Sequence, residues 1–256
     1  MNHIEQFHEG VSVRGLKKLT AAALGALALM SAAPAMADVI DFESIGSATY
    51  DGKQTFGEYG YTMQVIDSAA SQTGLGFAGA VGNGEDPFLC AIAACPVGNS
   101  SYYYMGVNDG GLKISRDDHK TFSLQNLQYA FLPPVSGLPP DSYGMLTVLG
   151  KTATGGTAVA NFRFPVLNST GNSPFRTAGL AAAFGNIQFT NVTISSCLWD
   201  DGGACINPAG NQAQFALDNL TLTPVPEPET YAMMGLGLAA VGLMSRRRSN
   251  KPQANA

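Results

Sequence analysis

The middle of the chain alternates short apolar runs with clusters of Gly, Pro, Asn and Asp. Residues two positions apart share hydrophobic character in several runs, as Phe162 and Phe164 do, whereas helical periodicity is almost absent. Such alternation indicates β-strands with one buried face. Residues 154–157, Thr-Gly-Gly-Thr, join two runs as a hairpin turn does. Many short strands with such turns predict an all-β sandwich or barrel. The predicted strands cover residues 39–43, 61–66, 101–107, 112–115, 121–131, 145–149, 158–167, 187–195 and 214–223.

The predicted strand over residues 121–131 changes phase halfway along its length. Its large apolar residues occupy even positions before Asn126 and odd positions after it. Because side chains alternate between the two faces of a strand, this change predicts a bulge or bend near Asn126. The even-numbered residues are Phe122 and Leu124, and the odd-numbered residues are Leu127, Tyr129 and Phe131.

The N-terminus has the pattern of a secretory signal peptide. A basic segment precedes an apolar run over residues 19–33, and Pro34 ends that run. Ala35 and Ala37 place small side chains at the two positions that a signal peptidase recognises. A core helix or a membrane anchor is the alternative, but the run is shorter than the ~20 residues of a comfortable span. Residues 1–37 are therefore predicted to be a signal peptide, cleaved after Ala37.

The C-terminus combines a proline-rich segment, an uncharged apolar run and a basic cluster. The run covers residues 230–244, and a helix of that length extends about 22 Å. This length is less than the ~30 Å thickness of the hydrocarbon core. A transmembrane helix of this length can still span the membrane if the bilayer thins locally. The basic cluster would stay on the cytoplasmic side. The proline-rich segment contains Pro226, Glu227 and Pro228, and the basic cluster is Arg246, Arg247 and Arg248.

These three parts, in this order at the terminus, resemble the PEP-CTERM sorting signal of Gram-negative bacteria that make exopolysaccharide. The resemblance implies that a membrane protease, the exosortase, cuts near residues 226–228 and releases or transfers the body. The tripeptide is then a recognition element of a substrate and not a catalytic site. The protein is expected to be exported, anchored transiently in the inner membrane, and then placed on the outer surface or outside the cell. An ordinary single-pass anchor is the alternative.

Without its two ends, the chain has a different charge. The whole chain of 256 residues has a formal net charge of −5, with 45% hydrophobic and 13% charged residues. Residues 38–223, the predicted body between the signal peptide and the sorting signal at 224–256, carry a formal charge of −8. An acidic body does not attract polyanions, so nucleic-acid binding is not expected. A neutral glycan or a cation is compatible with this charge.

All four cysteines lie in the exported part, where thiols oxidise. Their spacing favours two local disulfides, although two other pairings stay open. A zinc site is the weaker alternative, because neither pair has Cys-x-x-Cys spacing and the body contains a single histidine. Residues 74–99 are rich in Gly and Ala and are predicted to be a long loop, which the first of the two disulfides would constrain. The expected pairs are Cys90–Cys95 and Cys197–Cys205.

The body resembles jelly-roll modules related to carbohydrate-binding modules. The resemblance rests on strand and turn patterns at residues 122–127, 150–156, 189–193 and 215–220. It implies a jelly-roll-like β-sandwich in which the first and last strands pair. It also implies a structural calcium ion at that junction.

Three carboxylates are candidate calcium ligands at this junction. Asp41 and Glu43 share a face of the first predicted strand. Asp218 is in phase with Leu220 on an apolar face, where an unpaired charge is costly. Calcium takes six to eight oxygen ligands, and clustered carboxylates suit it. The alternative is that Asp218 and Asn219 cap a bulge through side-chain hydrogen bonds.

Two aromatic residues are candidate sugar-binding platforms, because aromatic faces stack on flat apolar surfaces. Trp199 lies inside the segment between the second pair of cysteines, and Tyr103 is the centre of three consecutive tyrosines. Alternation directs Tyr103 away from its two neighbours. A buried strand aromatic is the alternative interpretation for the tyrosines.

Catalysis has little support in the sequence. The chain contains no Gly-x-Ser-x-Gly elbow, Walker loop or His-Glu-x-x-His motif. The body histidine, His119, lies in a charged turn. A glycosidase needs two carboxylates that face each other across a cleft, whereas adjacent acidic residues in a strand point apart. We expect a non-enzymatic surface or matrix protein associated with exopolysaccharide and biofilm. A secreted glycan-active hydrolase and a purely structural matrix module are the alternatives.

Overall fold

Antiparallel β-strands make up most of the computed structural model, which describes residues 36–68, 76–184, 187–208, 210–224 and 228–249. Residues Met36–Val225 form one compact unit, which contains the predicted body. Two four-residue helices, α1 (Leu89–Ile92) and α2 (Ala181–Phe184), accompany its strands. The strands are β1 (Asp38–Ile40), β2 (Ala48–Tyr50), β3 (Thr55–Glu58), β4 (Tyr61–Ile66), β5 (Gly79–Gly82), β6 (Tyr103–Gly106), β7 (Gly111–Arg116), β8 (Phe122–Phe131), β9 (Gly144–Thr152), β10 (Thr157–Arg163), β11 (Arg176–Gly179), β12 (Phe189–Trp199), β13 (Cys205–Ile206) and β14 (Phe215–Pro224).

The strands form one hydrogen-bonded network that folds into two halves. The first half has the order β2-β5-β6-β14-β8, with β1 beside β14 and β11 beside β8. The second half has the spatial order β3-β4-β7-β12-β9-β10, and β13 pairs with the end of β12. The halves join where Phe189 of β12 pairs with Phe122 of β8. The predicted all-β class is confirmed.

The main core contains apolar side chains from both halves. In β4, Tyr61, Met63 and Val65 are buried and the residues between them are partly exposed, so the alternation of the sequence sets the inward face. Each large apolar side chain removed from water stabilises the fold by about 1.5–3 kcal/mol. Other large members of this core are Phe42, Tyr104, Phe122, Phe131, Phe189 and Phe215.

The predicted irregularity near Asn126 is confirmed. Asp218 of β14 pairs with Gln128, and the register between β14 and β8 then shifts on both sides of the pair formed by Thr221 and Asn126. The shift brings residues of both phases of β8 into the same core. These core residues are Phe122, Leu124, Leu127, Tyr129 and Phe131.

A second apolar cluster lies on the other side of strands β5, β6, β14 and β8. Tyr104 belongs to the main core, whereas its neighbour Tyr103 belongs to this second cluster. Leu89 of α1 and Ala93 pack into the second cluster. The prediction of a long loop over residues 74–99 is therefore corrected, since that segment contains β5 and α1. All four residues of β5 are buried, so β5 lacks the polar alternation that marks a half-exposed strand.

The predicted hairpin at residues 154–157 joins β9 to β10. Thr152 N donates a hydrogen bond to Gly156 O at 2.8 Å, which closes the turn. Gly155 has a φ of 87°, a conformation that glycine adopts without a steric penalty. The register pairs Thr157 with Lys151 and continues to Arg163 opposite Met145.

Residues Pro228–Ser249 form α3, a helix of 22 residues that extends beyond the predicted run at 230–244. Proline is favoured in the first turn of a helix, because its missing N–H would have no intrahelical partner there. Within the described ranges, no helix combines the length and the apolar character that crossing a membrane requires. The predicted transmembrane span is thus not shown.

Candidate functional site

The first and last strands of the body pair, as the jelly-roll resemblance implies. Asp38 lies opposite Leu222 in the antiparallel register of β1 and β14. However, β1 ends at Ile40, and Phe42 adopts a φ of 61°. A strand cannot continue through this left-handed conformation. The prediction of a strand over residues 39–43, with Asp41 and Glu43 on one face, is therefore wrong.

Asp218 is fully buried at the bulge of β14. Its Oδ2 accepts hydrogen bonds from Asn99 Nδ2 at 2.6 Å and Ser101 Oγ at 3.1 Å. Its Oδ1 accepts a hydrogen bond from Asn219 N at 2.7 Å, and Asn219 has a φ of 49°. These donors replace the water that the carboxylate loses on burial. Hydrogen bonding at a bulge, the alternative to calcium at this position, is therefore present.

The other two candidate calcium ligands have partners of their own. Glu43 Oε1 accepts a hydrogen bond from Tyr102 N at 2.8 Å, and Asp41 Oδ1 accepts one from Glu43 N at 3.3 Å. Among the residues that the structure describes, no group of three or more His, Cys, Asp or Glu side chains is placed to hold a metal ion. Asp41, Glu43 and Asp218 thus do not form such a set, and calcium binding stays a prediction.

Burial raises the pKa of the Asp218 carboxyl. Hydrogen bonds from Asn99, Asn219 and Ser101 act in the opposite direction, because they stabilise the ionised form. The negative charge of Asp41 raises the pKa further. The ionised carboxylate is therefore less favourable here than in water.

Asp109 is a second buried carboxylate, in the turn between β6 and β7. Its Oδ1 accepts a hydrogen bond from Ala213 N at 2.7 Å, and its Oδ2 accepts one from Asn211 N at 3.1 Å. Burial raises the pKa of Asp109, and these backbone hydrogen bonds oppose the rise. Asp109 holds the segment that leads into β14.

We predict that Asp218→Asn flattens the dependence of stability on pH. A pKa that is higher in the folded chain means that the folded state binds protons more tightly. The stability that Asp218 contributes is then present below its unfolded pKa of about 4 and is lost as the pH rises through the folded pKa. The measurement is the slope of melting temperature against pH, with Asp201→Asn, at an exposed position, as the matched control. A slope in the D218N protein as steep as in the wild type would contradict this prediction.

Glu58 is a buried carboxylate that the sequence analysis missed. It is 6% exposed at the end of β3. Its Oε2 accepts a hydrogen bond from Phe42 N at 3.0 Å, and its Oε1 accepts hydrogen bonds from Ser44 N at 3.3 Å and Ser44 Oγ at 2.6 Å. Backbone N–H groups two residues apart that converge on a carboxylate form an anion-binding concavity. Glu58 at the end of β3 thereby holds the turn that follows β1. No local sequence motif predicts this contact between the two segments.

Tyr103 is fully buried. Its ring packs edge-on against Phe175 with 5.4 Å between the ring centroids. Stacking on a sugar requires an accessible ring face, so the prediction of Tyr103 as a sugar platform is corrected. In the described part of the chain, its hydroxyl has no hydrogen-bond partner.

Trp199 is partly buried at the end of β12. The guanidinium carbon of Arg163 lies 4.4 Å from the centroid of its ring. This cation–π contact occupies one face of the indole. A sugar platform at Trp199 stays a prediction, limited to the other face.

Both predicted disulfides are confirmed, which excludes the other pairings and the zinc alternative. Cys90–Cys95 links α1 to the residues that follow it, and Cys197–Cys205 joins β12 to β13. All four cysteines are paired.

An uncharged cleft lies at one end of the first half, and no motif in the sequence indicated it. Its volume is about 340 Å³. Its residues come from separate loops, so neither spacing nor alternation along the chain connects them. The lining residues are Phe77, Phe88, Asn108, Pro134, Gly210, Asn211 and Gln214.

Most of the predicted processing residues fall where side chains are not described. Ala35, Pro226 and Glu227 lie outside the described residues. Pro228 is the first residue of α3, and residues 246–248 lie in its last turn. Ala37 is exposed and directly precedes β1, so cleavage after Ala37, which stays a prediction, would leave the strand intact.

Residues 224–248 match the family model of the PEP-CTERM protein-sorting motif. The match supports an exported protein with a C-terminal sorting signal that an exosortase processes. No curated protein matches the chain significantly. The resemblance of the body to carbohydrate-binding modules stays a prediction.

Proposed function

We propose that this chain is a non-enzymatic protein of the outer surface or the extracellular matrix, whose body associates with exopolysaccharide in a biofilm. A signal peptidase and an exosortase would process its two ends. The observation that carries the proposal is the sorting motif at residues 224–248, which begins where β14 of the body ends. Before the exosortase acts, the apolar run at residues 230–244 would hold the protein at the inner membrane, with the bilayer thinned locally around it.

The position of β14 supports processing of a folded body. β14 pairs with β8 along its length and with β6 and β1 on its other side. Its last residue, Pro224, lies opposite Phe122. A cut near residues 226–228 therefore removes no strand residue, and the sheet stays complete after processing.

The contacts of the acidic pairs support a non-enzymatic body. Asp118 forms an ion pair with Arg116 at 2.6 Å, and the neighbouring Asp117 accepts a hydrogen bond from Thr62. Asp200 accepts hydrogen bonds from the backbone of the turn that follows it. Asp86 accepts two backbone hydrogen bonds at the start of α1. One or both members of these carboxylate pairs thus stabilise turns, a role that leaves them poorly suited to proton transfer.

The charge of the body supports a neutral polysaccharide over a polyanion. Residues 38–223 have a formal charge of −8, which repels acidic polymers at moderate ionic strength. Calcium stays a candidate ligand near Asp41 and Asp218, since a cation would offset the repulsion between them. A melting temperature that rises with calcium and falls with a chelator would support this site, and an unchanged melting temperature would remove it.

Binding and turnover can be measured on the same sample. We predict that the processed protein, purified from its native host, co-sediments with the host's exopolysaccharide and releases no reducing ends from it. Release of reducing ends would instead support the glycan-active hydrolase. Absence of binding, together with biofilm loss on gene deletion, would support a structural module without a glycan ligand.

A further inference from the structure

The uncharged cleft is formed by the ends of four neighbouring strands. Gly79 of β5 and Phe215 of β14 both pair with Gly106 of β6, and Phe215 also pairs with Phe131 of β8. Since neighbouring strands are antiparallel, the start of β5, the end of β6, the start of β14 and the end of β8 lie at one edge. Four of the lining residues lie just beyond these paired positions: Phe77, Asn108, Pro134 and Gln214.

Two amide groups supply a donor and an acceptor in the cleft. Gln214 is 1% exposed, and its Oε1 accepts a hydrogen bond from Asn108 N at 3.2 Å. Asn108 Nδ2 donates a hydrogen bond to Phe77 O. The other polar atoms of these two amides are a donor, Gln214 Nε2, and an acceptor, Asn108 Oδ1. Amide side chains that line a cleft suit a ligand that carries hydroxyl groups.

An exposed aromatic ring stands beside these amides. Phe88 is 60% exposed, and its ring centroid lies 6.4 Å from that of Phe77. A phenyl face in water loses apolar exposure when a flat ligand with C–H groups covers it. The combination of an aromatic face with amide donors and acceptors fits a pyranose ring, which has apolar faces and hydroxyl edges.

Contacts within the protein hold the backbone of the segment that carries Phe88. Asp86 Oδ1 accepts a hydrogen bond from Phe88 N at 3.0 Å. The Cys90–Cys95 disulfide closes the segment that follows. Asp109 holds Asn211, another lining residue, by accepting a hydrogen bond from its backbone N–H. Such preorganisation lowers the entropy that binding would otherwise lose.

We infer that this cleft binds a neutral pyranose unit of a polysaccharide. No lining residue is charged, and the body is acidic, so a neutral sugar is favoured over an acidic one. The volume of about 340 Å³ lies within the range of small-molecule sites, roughly 300–1,000 Å³. The inference rests on the proposed association with exopolysaccharide and assigns it to a site.

The test is calorimetric titration of the processed protein with the host's exopolysaccharide, cellohexaose, laminarihexaose, mannohexaose and dextran, with polygalacturonate as the acidic probe. Binding to the host polymer and to at least one neutral probe is expected. Phe88→Ala should raise Kd about tenfold or more, the equivalent of ~1.4 kcal/mol, whereas Phe88→Trp keeps a ring and should keep binding. Tyr59→Ala is the matched control, because Tyr59 is 59% exposed and does not line the cleft.

A second pair of variants tests the preorganisation. Removing the Cys90–Cys95 disulfide by C90S/C95S should weaken binding, whereas C197S/C205S should not. Thermal melts of each variant would show that the body is folded.

Three outcomes would overturn the inference. If the F88A protein binds the host polymer as tightly as the wild type, the site is wrong while the proposed function stands. If polygalacturonate binds and the neutral probes do not, the ligand class is wrong. If no polymer binds at all, the proposed glycan association fails together with its site.

Discussion

Replacing Glu227 with alanine is expected to reduce processing of the C-terminus at least about tenfold. Glu227 lies between Pro226 and Pro228 within the matched sorting motif. Each proline fixes its own φ near −65° and lacks an N–H, and Pro228 begins α3. We expect the exosortase to recognise the carboxylate of Glu227. Loss of a charge-assisted hydrogen bond costs about 1.5–3 kcal/mol, so processed protein should fall at least about tenfold.

The chain contains a matched control for this variant. Glu229 has the same side chain two residues later, outside the Pro-Glu-Pro tripeptide. Glu229→Ala removes the same charge and should leave processing close to that of the wild type. Mass spectrometry of the mature C-terminus measures both variants. A wild-type product that still carries Met244 would overturn the sorting interpretation, and an E227A protein processed like the wild type would remove the role of the glutamate.

Glu58→Ala is expected to destabilise the body more than other single substitutions of acidic side chains. It removes three hydrogen bonds and leaves the N–H of Phe42 unpaired, which costs about 1–3 kcal/mol for a buried group. It also removes the acceptor that supports the φ of 61° at Phe42, a conformation that costs a further 1–3 kcal/mol or so when it is unsupported. We expect the free energy of unfolding to fall by about 2–4 kcal/mol.

For a body of this size, that change corresponds to a melting temperature lower by roughly 5–15 °C. Glu85→Ala is the matched control, because Glu85 is exposed in a turn and its loss should change stability by less than about 0.5 kcal/mol. Glu58→Gln keeps an acceptor and should lie between the two. The role assigned to Glu58 would be refuted if the E58A and E85A proteins had the same melting temperature.

The strands show which structural features alternation can predict. β4 has a buried residue at every second position, and β12 does so from Val192 to Ser196; both strands were predicted. β2, β3, β5, β11 and β13 were not predicted, and each has four residues or fewer. A strand this short has too few positions to show a period, and its place in the sheet comes from its partner. β5, for example, pairs with β2 on one side and β6 on the other.

The environment of Asp218 could be predicted only in part. Its phase with Leu220 predicted a carboxylate on a buried face, and Asp218 is fully buried. The donors that compensate it, Asn99 and Ser101, lie 119 and 117 residues away in the sequence. Their approach depends on how the segment before β6 packs against the bulge of β14, which no local pattern contains.

The sequence by itself determined the all-β class, the two local disulfides, the bulge near Asn126 and the sorting signal at the C-terminus. Each of these is a linear or short-range signal: alternation, close cysteines, a change of phase, or a fixed order of segments. Only the tertiary structure decided where the carboxylates find their donors and where the cleft lies. Phe88, Asn108 and Gln214 become neighbours because β5, β6, β14 and β8 are adjacent in the sheet. That adjacency results from pairing between distant strands, which depends on burial of the whole core and not on the residues near any one strand.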